Sequence, residues 1–185
     1  HIERMHPRGE AGIELGLDRV AIVAAELRHA KRLAGKPIFT VAGTNGKGSV
    51  VTYLSNILDR GGYRVGTYTS PHLVHFNERM RLNGIPVEDA RIVAAFDRVE
   101  AARAATGESL TYFEFTTLAA IEVFLAADVE VLVLEVGLGG RLDVDAGAGR
   151  PATPAAAAAT VIAASATPAL RAKPTEFTSV SNPKR

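Results

Sequence analysis

The sequence predicts an α/β fold, a doubly wound and mainly parallel sheet built around a phosphate-binding turn. Three observations carry that expectation. Short apolar strands alternate with helical patterns over the first 143 residues. A glycine-rich turn, GTNGKGS at 43–49, joins one such strand directly to a helix. A further strand, VEVLVLEV at 129–136, is apolar enough for burial on both faces and carries an acid, Glu135, at its end.

Each element has its own warrant. Residues 18–33 read as one helix, with Val20, Val23, Ala24, Leu27 and Ala30 on a single face. Pro37 introduces a short strand over 38–42. After the glycine turn, SVVTYLSNILDRGG reads as a helix with Val50, Leu54, Ile57 and Leu58 as its apolar stripe, ended by Gly61-Gly62. Residues 64–69 (RVGTYT) form a second strand, followed by the loop SPHLVHFNE. Asn83-Gly84 between short apolar runs predicts a hairpin over 79–86. Residues 87–105 form a helix with Ile92, Val93, Phe96 and Val99 in register, and 112–126 form another.

Composition narrows the chemistry. The 185 residues suit one α/β domain rather than two full enzyme domains. Cysteine is absent, which excludes disulfides, a thiolate nucleophile and Cys-ligated metal. Lys+Arg number 21 against 20 Asp+Glu, and that balance gives no footprint for nucleic acid or an anionic membrane. No run of 18 apolar residues exists, so no transmembrane helix is expected, and the polar N-terminus does not resemble a secretory signal. The cytoplasm is the expected location.

The composition breaks near residue 150. All 17 glycines precede it, whereas Pro151 to Arg185 holds 11 alanines in 35 residues and five of the nine prolines. Residues 1–143 therefore read as the ordered body, and 144–185 as an atypical Ala/Pro-rich tail, mostly disordered. One alanine-rich helix around 155–166, docked on the body, is the alternative.

The segment 38–49 (IFTVAGTNGKGS) carries the strongest chemical signal. Glycines let the backbone wrap close to a ligand, and successive N–H groups form an anion nest. The following helix adds its positive N-terminal end. Lys47 brings a charge to phosphate oxygens, and Ser49 a hydroxyl where phosphate loops place a magnesium ligand. The match to G-x4-G-K-[ST] is imperfect. Val41 stands where the first glycine belongs, and Gly48 separates Lys47 from Ser49. A plain glycine-rich turn is the bland alternative.

Glu135 ends an apolar strand, so it is expected at the carboxyl edge of the sheet, where such folds bind ligands. There it suits Mg²⁺, which takes one or two carboxylates besides waters and phosphates. Ser70, following the second strand, is a candidate hydroxyl for the same metal. His72 and His75, three apart in a loop, read as solvated side chains rather than ligands. In GLGGRLD, Arg141 is a candidate clamp for a carboxylate or phosphate, with Asp143 orienting it. A flexible turn with a surface ion pair is the alternative.

Together GTNGKGS, TSPHL, FNERMRLNG, LTYFEFTTLAA and LEVGLGGRLD resemble the folylpolyglutamate synthase/dihydrofolate synthase enzymes of the Mur ligase superfamily. IELGLDRV near the N-terminus resembles that family's folate-side segment. The resemblance implies the central ATPase domain of a Mur ligase, here incomplete. It implies an ATP-dependent ligase that joins L-glutamate to a dihydropteroate or folate carboxylate through an acyl phosphate, with Mg²⁺. On that basis Thr44, Asn45, Gly46, Lys47, Gly48 and Ser49 hold ATP, with Lys47 the catalytic cation. Ser70 and Glu135 hold the metal. Gly12, Ile13, Glu14, Leu15, Thr111, Leu142, Asp143 and Val144 line the pteroate site.

The resemblance ends at Asp143, and no histidine follows it. The family's second metal residue, modified lysine and C-terminal glutamate-binding domain therefore have no counterpart, and a truncated, inactive chain is expected. The alternatives are a non-catalytic ATP- or folate-binding fragment, or another Mur-superfamily amide ligase. With later strands missing, the strand at 129–136 is expected at an unprotected sheet edge, open to self-association.

Overall fold

The computed structural model describes residues 18–43 and 45–135. The expectations that fall on 1–17, on Thr44 and on 136–185, the tail among them, lie outside the described residues. Within them the elements are α1 (Asp18–Glu26), α2 (His29–Leu33), β1 (Ile38–Val41), α3 (Lys47–Arg60) and β2 (Val65–Tyr68). A 3-10 turn (Phe76–Arg79), β3 (Met80–Leu82), β4 (Ile85–Pro86), α4 (Asp89–Thr106), α5 (Tyr112–Ala126) and β5 (Val131–Glu135) follow.

The sheet order is β1-β5-β2-β3-β4, with β5 parallel to both β1 and β2 and the β3–β4 hairpin antiparallel. The doubly wound expectation therefore holds, with an antiparallel edge. All five β5 residues are buried. Alternate side chains serve two layers: Val131 and Val133 pack with Val51 and Leu58 of α3, whereas Leu132 and Leu134 join the larger core under α4 and α5.

The edge expectation is overturned. β5 is central, inserted between β1 and β2, because the chain returns to the gap left by its first crossover. Among the described residues, the parallel strand with a single neighbour is β1. The hairpin holds as expected: Asn83 and Gly84 have φ of 48° and 78°, the left-handed pair that a two-residue turn requires.

Two helices depart from the pattern. The 18–33 segment breaks at Arg28, whose φ is 56°, giving α1 and α2. The break turns His29 inward, where its Nε2 lies 2.8 Å from Glu122 of α5, and leaves Ala30 exposed. In α3 the buried side chains are Val51, Ser55 and Leu58, while Val50 and Ile57 face solvent. The helix is rotated by one position from its apolar stripe. Ser55 can face the sheet because its hydroxyl pairs with buried Thr67 at 2.9 Å. In α4, Ile92 and Val99 are buried as expected, but Val93 is exposed.

α5 is buried on nearly every side, yet it carries two acids into the interior. Glu114 is met by the Arg19 guanidinium and closes the capping box with Thr111. Glu122 meets His29, Arg32 and Arg98. Burial opposes its ionisation, but those hydrogen bonds outweigh burial and hold its carboxyl at about 2. For His29, burial dominates and lowers its pKa, so it stays neutral; its Nδ1 has no partner.

Gly66 sets the approach of α5 to the sheet. A Cβ there would sit 2.6 Å from the Phe124 ring. Gly66→Ala should lower the unfolding free energy by about 1–3 kcal/mol, read from urea denaturation. The His29 site predicts a pH effect. Its folded pKa lies below the ordinary 6.5, so stability present above 6.5 is lost as pH falls beneath it. His29→Gln should flatten the decline in urea midpoint between about pH 6.5 and 5.

Candidate nucleotide and cation site

The site grows from the carboxyl edge of the parallel strands. β1 ends at Val41, level with Glu135 of β5, and Leu134 stands opposite Tyr68 of β2. Three chain segments therefore leave the sheet together: the glycine turn after β1, the loop carrying Ser70 after β2, and Glu135 itself.

The glycine turn leads into α3, which begins at Lys47, two residues before the predicted helix start. Gly43 has φ 152° and the N-cap Gly46 has φ 76°, conformations that favour glycine. Neither α3's cap nor its first turn carries an acid, so its N-terminal N–H groups keep their positive field. The Lys47 ammonium lies back across the turn, donating to the Gly43 carbonyl at 2.8 Å. Asn45, Gly48 and Ser49 are exposed around it, and Thr44 lies outside the described residues.

Glu135 shares its sheet face with Val131 and Val133, on the side covered by α3. It is 8% exposed, and its Oε2 accepts a hydrogen bond from the Ser70 N–H at 3.1 Å. Ser70 and Glu135 line a cleft of about 540 Å³ with Gly48 of α3. Thr52 and Asn56 of α3, Thr69 after β2 and Arg81 of β3 extend its polar wall. Of the predicted ATP residues within the described range, Gly48 lines the cleft, whereas Asn45, Gly46, Lys47 and Ser49 are not among the lining residues.

A carboxylate and a hydroxyl facing a cleft, beside a helix N-terminus and a lysine, suit a hard cation bridged to phosphate oxygens. Among the described residues no group of three His, Asp or Glu side chains is placed to hold a metal ion. Magnesium needs only one or two carboxylates beside phosphate and water. His72 and His75 are not brought together as ligands. His72 Nδ1 accepts from Arg79 Nε at 2.8 Å, and the His75 side chain is exposed. The Arg79 guanidinium lies over the rings of Phe76 and Tyr112.

Of the predicted pteroate residues, Thr111 is described. It is the N-cap of α5, and its hydroxyl accepts from the Glu114 N–H. Gly12, Ile13, Glu14, Leu15, Leu142, Asp143 and Val144 lie outside the described residues, as does Arg141. Sequence reasoning missed Thr52, Asn56 and Arg81 as cleft residues. The i, i+4 spacing of Gly48, Thr52 and Asn56 on one face of α3 was the available signal.

No protein-family profile matches the chain. It is 47% identical over 143 residues to a dihydrofolate synthase/folylpolyglutamate synthase of Escherichia coli K12, covering 77% of this chain and 32% of that protein. The Haemophilus influenzae enzyme of the same name is 47% identical over 132 residues, 71% of this chain and 29% of the relative. Two solved structures superpose well. E. coli FolC in complex with DHPP and ADP gives a TM-score of 0.65 at 45% identity, over 76% of this chain and 33% of that one. The bifunctional Yersinia pestis enzyme complexed with AMPPNP and Mn ion gives 0.66 at 48%, over 75% and 33%. The chain spans about a third of the length of the curated relatives it matches.

The turn itself makes a measurable prediction. Nothing lies within 4 Å of a Cβ built on Gly46, so the cost of Gly46→Ala is conformational rather than steric. It should amount to about 1–2 kcal/mol in urea denaturation, the usual penalty for a left-handed non-glycine residue.

Proposed function

Since this chain belongs, over about three quarters of its length, to the dihydrofolate synthase/folylpolyglutamate synthase family of ligases, we propose that it carries the nucleotide- and cation-binding part of an ATP-dependent ligase. That ligase adds L-glutamate to a dihydropteroate or folate carboxylate. The observation that carries the reading is the cleft that Ser70, Glu135 and Gly48 of the first turn of α3 line together.

The arrangement supplies positioning and charge rather than a nucleophile. The substrate carboxylate attacks the γ-phosphorus of ATP, the bond to the bridging oxygen breaks, and ADP leaves. The amine of glutamate then displaces phosphate from the acyl phosphate and loses a proton as the amide forms. The N–H groups of residues 46–48 and the Lys47 ammonium meet the negative charge on the phosphates. Ser70 and Glu135 would hold Mg²⁺, which supplies charge neutralisation at the phosphoryl oxygens. Thr44, Asn45 and Ser49 complete the ATP contacts in this reading. Thr111, with residues 12–15 and 142–144, forms the pteroate side.

We further propose that residues 1–143 form the ATP-binding body, with 144–185 a separate Ala/Pro-rich segment, and that the ligase works in the cytoplasm. No helix among the described residues is long and apolar enough to cross a membrane. Self-association would run through β1 rather than β5, and sedimentation of the chain across a concentration series tests it.

Calorimetry with ADP, with and without Mg²⁺, tests the main reading. The wild-type chain should bind ADP more tightly with the metal. Lys47→Ala should weaken binding in both conditions by about tenfold or more, the loss of one charge-assisted phosphate contact. Glu135→Gln should remove the gain from metal and spare metal-free affinity. Failure of the wild type to bind MgADP would contradict the reading.

A further inference from the structure

The loop between β2 and β3 is tied down by one carboxylate. Glu78 Oε2 accepts from the Leu73 N–H at 2.8 Å, and Oε1 accepts from Val74 at 3.0 Å and His75 at 2.7 Å. These bonds, led by those from His75 and Leu73, draw the Glu78 carboxyl down to about 2. It is therefore a fixed anion at any working pH.

Packing does not explain this clamp. Leu73 is 90% exposed and Val74 73% exposed, so the loop buries little apolar surface at its tip. Three main-chain donors are gathered onto one acid, that of His75 as the capping box of the 3-10 turn, to hold a loop whose tip contributes little to the core although Phe76 beyond it packs there. What the loop does carry is Ser70, at its start, whose N–H meets Glu135 in the cleft. A second tie, from Arg79 Nε to His72 Nδ1, fixes the stretch between them. The free loop would sample many conformations, and ordering it at the moment of binding would weaken the bound state.

We propose that Glu78 is a positioning residue: by clamping 73–75 it holds Ser70 against Glu135 and so preorganises the cation side of the cleft. This rests on the functional reading above. Glu78 does not line the cleft, so it would act through Ser70 and not on the ligand.

The test uses the 185-residue chain, with ADP alone in EDTA and ADP with Mn²⁺, followed by calorimetry. Glu78→Ala removes the clamp. Glu78→Gln keeps its size but turns one acceptor into a donor facing N–H groups. Both variants should lose about tenfold of the metal-dependent gain in ADP affinity while metal-free affinity stays within about twofold. Hydrogen exchange should rise at 70–75 and stay slow in β2 and β5, which shows a folded variant with a loosened loop. A variant that keeps the full gain from metal overturns the proposal and leaves the functional reading standing. Equal loss of affinity with and without metal overturns it too, since that marks a general defect. A wild-type chain with no gain from metal overturns both.

Discussion

The insertion of β5 between β1 and β2 is the constraint on which the rest of the structure depends. Parallel pairing on both sides fixes its register twice, with Val41 opposite Glu135 and Tyr68 opposite Leu134. Because all three strands run the same way, their exits fall on one edge. The glycine turn after β1, Ser70 after β2 and Glu135 at the end of β5 are far apart in sequence, and this pairing brings them to one edge. Alternation along β5 then decides which face Glu135 takes. It follows Val131 and Val133 to the α3 side, where the helix N-terminus stands.

The layers on either side divide the labour. The α4–α5 side holds the large core and the buried acids Glu114 and Glu122, each met by arginine, with His29 also on Glu122. Those contacts bind α1 and α2 to α5, and Gly66 lets α5 approach β2 closely. Among the described residues the α3 side has a thin core of five buried residues and leaves room for a polar cleft. Rigidity on one face and an open, charged edge on the other suit a site that works by holding charges in place.

Much of this was legible because it rests on local rules. The strand–glycine–helix order, the apolar run ending at Glu135 and the Asn83-Gly84 turn each follow from local residue pattern, and the structure shows those elements. What was not legible depends on partners distant in sequence. Arg28 gives no glycine or proline warning that a helix will break there. The break is favoured by the His29–Glu122 contact, 93 residues apart. The apolar stripe of α3 misplaced its buried face because Ser55 reads as polar until Thr67 is beside it. Strand order cannot be read from chain order, so β5 looked like an edge. Ser70 and Glu135 could be picked from the sequence as neighbours at the sheet edge, but Glu78 could not, since a solvent-side acid near a loop looks ordinary before its three N–H donors are known.

The central claim is that the phosphate turn and the acid-tipped strand serve one nucleotide–cation site. Paramagnetic broadening of backbone amide signals by MnADP tests it most directly. Selective loss of signal is expected at residues 45–48, at Ser70 and at Glu135, with α1 and α4 on the opposite face of the sheet spared. Broadening at 45–48 without Ser70 and Glu135, or centred on another face of the sheet, would contradict it.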